Sequence, residues 1–88
     1  MPYIKGFRRR ALTPLGMTAE NEGELNYQIS VLMDNYMIKH GLSYDRMGDC
    51  TGACENAAAE FRRRVMAPYE DKKIIENGDV YSCLETNA

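Results

Sequence analysis

Residues 23–40 carry apolar side chains on two opposite sides of one helical pattern, and this limits what the chain can become. Leu25, Ile29, Leu32, Met33 and Tyr36 fall at i, i+4, i+7, i+8 and i+11, which lines one face of a 3.6-residue period. Tyr27, Val31 and Ile38 lie roughly 180° away from that face. A helix that is apolar on two sides needs two partners. In a chain of 88 residues, one partner is expected to be another copy. Tyr27, Val31 and Ile38 are therefore the expected oligomer interface.

The flanking residues set the ends of this helix. Glu22 and Glu24 near its start and Lys39 and His40 near its end suit the helix dipole. Gly41 is a natural left-handed stop. Residues 41–49 read as a connection in which Ser43 caps a single turn and Asp49 caps the next helix. That second helix is expected over residues 50–67, where Cys50, Cys54, Ala57, Ala58, Phe61 and Val65 keep the helical spacing. Gly52, Ala53, Ala57, Ala58 and Ala59 are small enough to let a neighbouring backbone come close, and Phe61 is the first bulky apolar anchor. Pro68 breaks or restarts the helix. Pro68-Tyr69-Glu70-Asp71 then has the proline and acids of a first turn, with a third helix running to about Asn77 and ending at Asn77-Gly78. Pro2, Gly6, Pro14 and Gly16 make residues 1–22 irregular, with room for one short helix starting at Pro14 and capped by Thr13.

The expected fold is all-α. An antiparallel helical hairpin, 23–40 against 50–67, is joined by a short third helix and an irregular N-terminal arm, and the whole is oligomeric. The expected divisions are an arm at 1–22, a helical domain at 23–81 and a disordered tail at 82–88.

Several functional classes are disfavoured. There is no Gly-rich phosphate loop and no nucleophile elbow, and His40 is the single histidine, placed at a helix end where a cap or surface role suffices. No catalytic residues and no cofactor are expected, and the chain is not read as an enzyme. Cys50 and Cys54 share a helix face at i, i+4, and with Cys83 and His40 could offer four zinc ligands, but the spacing matches no usual zinc pattern. Core packing is the preferred reading of these thiols, and no metal is expected. Three cysteines argue against a disulfide framework and fit a reducing cytosol. No run of 18 apolar residues suggests a membrane span, and the N-terminus has no signal-peptide pattern. The expected location is the cytoplasm of a host cell.

With a net charge of −2 the chain as a whole is no polycation, so any pull on phosphate must be local. Six basic residues form two triplets, Arg8-Arg9-Arg10 and Arg62-Arg63-Arg64. On a helix consecutive residues are about 100° apart, so the second triplet cannot converge. With Phe61 facing the core, Arg63 points to solvent and Arg62 and Arg64 flank the core face. A Glu60–Arg64 pair at i, i+4 would add about 0.3–0.5 kcal/mol. Such a site suits a phosphate or carboxylate, which a guanidinium grips with two parallel hydrogen bonds. The bland alternative is a solvated helix end whose arginines complement the dipole. Arg8, Arg9 and Arg10 lie beside Tyr3 and Phe7, a mixture that suits either phosphate contact with base stacking or an arm that docks its aromatics and leaves its arginines wet. Lys72 and Lys73 follow Glu70 and Asp71 on the third helix, most simply as a surface face.

Gly23-Glu24-Leu25-Asn26-Tyr27, Gly41-Leu42-Ser43-Tyr44, Glu60-Phe61 with Arg63-Arg64-Val65, Ala67-Pro68-Tyr69-Glu70-Asp71-Lys72-Lys73-Ile74 and Glu76-Asn77-Gly78-Asp79-Val80-Tyr81 together resemble a family of short phage and prophage proteins of unassigned function. The resemblance spans about residues 1–81 and departs at 50–59, where this chain is richer in small residues. It implies an origin and not an activity. Phe61, Arg63, Arg64, Val65 and Pro68 at the end of a hairpin's second helix are also similar to phage anti-CBASS sponges, small helical oligomers that sequester cyclic nucleotides. That likeness implies Arg62, Arg63, Arg64, Lys72 and Lys73, with Arg8, Arg9 and Arg10, on phosphates, and Tyr69, Phe7 or Tyr3 stacking on bases. The competing expectations are an inhibitor or adaptor of a host defence protein, anti-CRISPR-like, and a structural or accessory phage protein.

Overall fold

The structure is a computed structural model that describes residues 3–13 and 16–84. Every regular element among them is helical: α1 (Gly6–Leu12), α2 (Glu22–His40), α3 (Tyr44–Phe61), a π-turn (Arg62–Met66), α4 (Ala67–Asn77) and a 3₁₀ turn (Ser82–Leu84). The fold is the expected all-α one, with α2 and α3 as the antiparallel hairpin and α4 as the third helix. The backbone divides into two compact units, residues 1–57 and 58–88.

Helix α2 begins and ends by side-chain and glycine chemistry. Asn21 is its N-cap, accepting the Glu24 N–H at 2.9 Å, while the Glu24 carboxylate accepts the Glu20 N–H at 2.9 Å. The first bond satisfies a donor that the first turn leaves orphaned, and the second ties down the residue before the cap. Gly41 closes the helix at φ 88°, its N–H bonding Met37 O at 2.8 Å. Gln28 Nε2 donates to Met17 O at 2.7 Å, which ties the segment before α2 to the helix.

Four expectations about boundaries change. The arm is not wholly irregular, because α1 forms within it. Thr13 does not start a helix but ends one, its N–H and hydroxyl both bonding Arg9 O; Pro14 lies outside the described residues. Helix α3 starts at Tyr44 and not at residue 50, since Ser43 Oγ accepts the Arg46 N–H at 3.2 Å. Asp49 is thus inside α3 and caps nothing, and its carboxylate turns instead toward α2. The tail expected to be disordered from residue 82 begins with a 3₁₀ turn, Ser82–Leu84, just after the Asp79 side chain accepts the Tyr81 N–H at 2.9 Å. Residues 85–88 lie outside the described residues.

The break expected at Pro68 is a π-turn and not a gap. Phe61, Met66 and Ala67 all keep right-handed helical backbones, and the Ala67 N–H reaches back five residues to Arg62 O. Proline lacks the N–H for an i−4 bond and its ring collides with the carbonyl four residues earlier, here that of Arg64. Widening the turn just before Pro68 moves that carbonyl out of the way without unwinding the chain.

The hairpin is closed by side chains. Tyr36 Oη donates to Asp49 Oδ2 at 2.7 Å, and the Cys50 thiol contacts Met33 O at 3.7 Å. Yet no described residue is buried. Met33 and Tyr36 are half-covered, whereas Leu25, Ile29 and Leu32 on the same stripe remain exposed. Phe61, expected as a core anchor, is 55% exposed. The cause is the composition of α3, whose Gly, Ala and Cys side chains are too short to cover the larger side chains opposite.

Candidate functional site

The residues singled out in the sequence fall into three groups. The first belongs to the unit of residues 58–88. Arg62, Arg63 and Arg64 occupy the π-turn. Glu60 pairs with Arg63 at i, i+3. Positions three and four ahead both border a helical residue, so Arg63 and Arg64 both lie within reach of this carboxylate. Arg62 and Arg64 are exposed on the turn, where their guanidinium groups can meet an outside anion. One turn further on, Lys73 Nζ sits 5.6 Å from the centre of the Tyr69 ring and 3.6 Å from Glu76. The spacing i, i+4 puts Tyr69 and Lys73 on one strip of α4. The Tyr69 ring is 63% exposed. Lys72 is exposed beside them.

The second group belongs to the unit of residues 1–57. Phe7, Arg8, Arg9 and Arg10 are all on α1, with Arg9 and Arg10 in its last turn where the dipole favours cations. Tyr3 precedes the helix, and all five residues are exposed. A single short helix therefore presents an aromatic and three arginines together, which is more order than an arm was expected to have. The third group, Tyr27, Val31 and Ile38, stays on the outer side of α2. Tyr27 is 70% and Ile38 74% exposed, while Val31 between them is 36% exposed.

Sequence reasoning missed a polar cluster at the loop end of the hairpin. Tyr36 Oη donates to Asp49 Oδ2, and Arg46 Nη1 lies 3.3 Å from both that oxygen and the Tyr36 hydroxyl. The His40 ring stands 4.4 Å from that of Tyr36. The hydrogen bond from Tyr36, with Arg46 beside it, holds the Asp49 carboxyl below its usual range, and the same hydroxyl and carboxylate hold the Arg46 guanidinium above its own. Nothing periodic marks this cluster in the sequence, because it joins residues 13 positions apart across a turn.

Below the cluster, a groove of about 350 Å³ runs between α2 and α3, with Leu32 and Met33 on one wall and Cys50, Ala53 and Cys54 on the other. The zinc quartet considered from the sequence is not assembled: no three His, Cys, Asp or Glu side chains converge among the described residues. Nor, among the described residues, is any helix long and apolar enough to cross a membrane.

No curated protein and no solved structure matches the chain. A family match does cover residues 1–80, which is most of the chain, and it identifies this protein as a member of the domain of unknown function DUF6899.

Proposed function

We propose that this protein is a non-catalytic, phage-type binding protein that works as a homo-oligomer in the host cytoplasm and antagonises host defence by sequestering a cyclic nucleotide signal. The observation that carries this reading is the open surface: no described residue is buried, and Tyr27 and Ile38 on the outer stripe of α2 are 70% and 74% exposed. A subunit that completes its core only in an assembly is suited to trapping a ligand. The chemistry of the ligand follows from the unit of residues 58–88. Arg62 and Arg64 supply guanidinium forks for phosphate, Lys72 and Lys73 add charge, and Tyr69 offers a ring to a base. Arg8, Arg9, Arg10, Phe7 and Tyr3 on and before α1 supply the same pairing of chemistry from a second place.

Thermal unfolding with a panel of cyclic di- and trinucleotides tests the reading. A ligand at 100 times its dissociation constant stabilises by about 2.7 kcal/mol. The shift is expected for at least one member of the panel and is expected to vanish in Arg62→Glu with Arg64→Glu. A flat response across the panel rejects sequestration. The bare Tyr27, Val31 and Ile38 stripe also favours a second reading, an inhibitor or adaptor seated on a host defence protein. That reading gains if the wild type is monomeric and one host protein is retained by it but not by Val31→Glu with Ile38→Glu.

A further inference from the structure

We propose that the groove between α2 and α3 holds a binding site for a soft monovalent metal ion, Cu(I), formed by the thiols of Cys50 and Cys54 and the thioether of Met33. Cys50 and Cys54 are one helical turn apart on α3 and therefore share a face. Both meet the same residue of α2: Cys54 Sγ lies 3.6 Å from Met33 Sδ, and Cys50 Sγ lies 3.7 Å from Met33 O. A metal–sulfur bond is about 2.3 Å long, so two sulfurs on one ion stand roughly 4 Å apart. The Cys54–Met33 pair is already near that separation. All three side chains are half-covered and reached through the groove, so an ion can enter without opening the hairpin.

The donor set selects the metal. Thiolate and thioether ligands favour Cu(I), whereas carboxylate and carbonyl oxygens favour harder ions. The one carboxylate on the groove wall, Asp49, is engaged by Tyr36 and Arg46. The remaining wall, with Ile29, Leu32 and Ala53, is apolar. Zinc is held by thiolate, imidazole or carboxylate, and the third donor here is a thioether, which suits the softer Cu(I). On binding, each thiol gives its proton to solvent and its hydrogen bond to Met33 is replaced by a sulfur–copper bond. The ion enters as Cu(I) and leaves as Cu(I), so no electron is exchanged. The site is independent of Arg62, Arg64 and Tyr69, which belong to the other compact unit.

The test is an anaerobic titration of the full chain with Cu(I) against bicinchoninate, whose Cu(I) complex is coloured. The chain is expected to withdraw one equivalent from the chelator and to gain a thiolate-to-copper band in the ultraviolet. Cys50→Ser and Cys54→Ser should each abolish the withdrawal. Met33→Leu, which keeps the side chain's volume, should weaken it by about tenfold, or 1.4 kcal/mol. Cys83→Ser should leave it unchanged. Circular dichroism of each variant separates lost ligands from lost helix, and Met33→Leu carries the test where a serine variant fails to fold. Failure to draw copper from the chelator overturns the proposal, as does withdrawal that survives loss of both Cys50 and Cys54. Full affinity in Met33→Leu overturns it too, as does displacement of Cu(I) by an equal concentration of Zn(II).

Discussion

The two compact units keep their shape by different means. Residues 1–57 are tied by contacts between positions far apart in sequence: Tyr36 to Asp49, Met33 to Cys50 and Cys54, and Gln28 to Met17. Residues 58–88 are tied by neighbours: Glu60 to Arg63, Tyr69 to Lys73, Lys73 to Glu76, and Asp79 to Tyr81. Contacts of the second kind are worth a few tenths of a kcal/mol each and do not by themselves fold a chain. The hairpin holds its two strands of helix against each other, while the second unit keeps local helix and presents charge. Among the described residues neither unit buries a side chain, and under the proposed assembly a second copy supplies the cover.

The largest effect expected is on that cover. Under the proposed assembly, Val31 and Ile38 of α2 are buried between copies, and each such side chain contributes about 1.5–3 kcal/mol. Val31→Glu with Ile38→Glu should convert the oligomer to monomer and cost most of the helical signal, read by light scattering and circular dichroism. A wild type that is monomeric and fully helical at micromolar concentration would erase the difference between a subunit and a finished fold.

Pro68 sharpens the account of the second unit. A proline inside a helix costs up to about 3 kcal/mol relative to alanine. If the π-turn exists to accommodate Pro68, Pro68→Ala should let residues 62–67 return to α-helical hydrogen bonding and should raise the melting temperature. An unchanged melting temperature would mean that the wide turn is held by something other than the proline.

At the other unit's first helix end, Asn21→Ala removes the side chain that accepts the Glu24 N–H. A loss of about 1 kcal/mol is expected, measured by urea denaturation. Asn21→Asp should retain most of the stability, since aspartate caps as well and adds favourable charge at the N-terminus.

The polar cluster gives the hairpin a pH dependence. The folded pKa of Asp49 is held below its ordinary value of 3.8, chiefly by the Tyr36 hydroxyl. Its contribution is therefore complete above the ordinary carboxylate range and is lost as pH falls below 3.8 through the folded value. Melting temperatures of wild type and Asp49→Asn should differ at neutral pH and converge under acid. Parallel curves down to the acid limit would show that Asp49 is not the group responsible.

How much was legible beforehand follows from the same contrast. Helices α2 and α4 were legible because their signals are local: the period of Leu25, Ile29 and Leu32, the glycines at 41 and 78, and the proline at 68; α1, among Gly6 and three arginines, carries no such period. The start of α3 was missed because Ser43, a weak signal alone, outcompeted Asp49 as cap only once Asp49 could reach Tyr36 across the turn. The arginines were legible as a cluster, but their partners were not. Which of two neighbouring positions takes Glu60 is decided by side-chain conformation and not by spacing. Met33 was read as one member of an apolar stripe, since nothing in a linear pattern tells a methionine that fills space from one that faces two thiols.

The smallest expected effect is at Glu60 and Arg63. This pair is on the surface, with the Arg63 side chain 66% exposed, and a pair of that kind is worth about 0.3–0.5 kcal/mol. Arg63→Ala should change stability by no more than this and should lose even that in high salt. In a binding assay the variant should leave the affinity for a phosphate ligand nearly unchanged, because under the proposed function Arg62 and Arg64 still carry the contact. A large loss of affinity beside a small loss of stability would show that Arg63 itself touches the ligand.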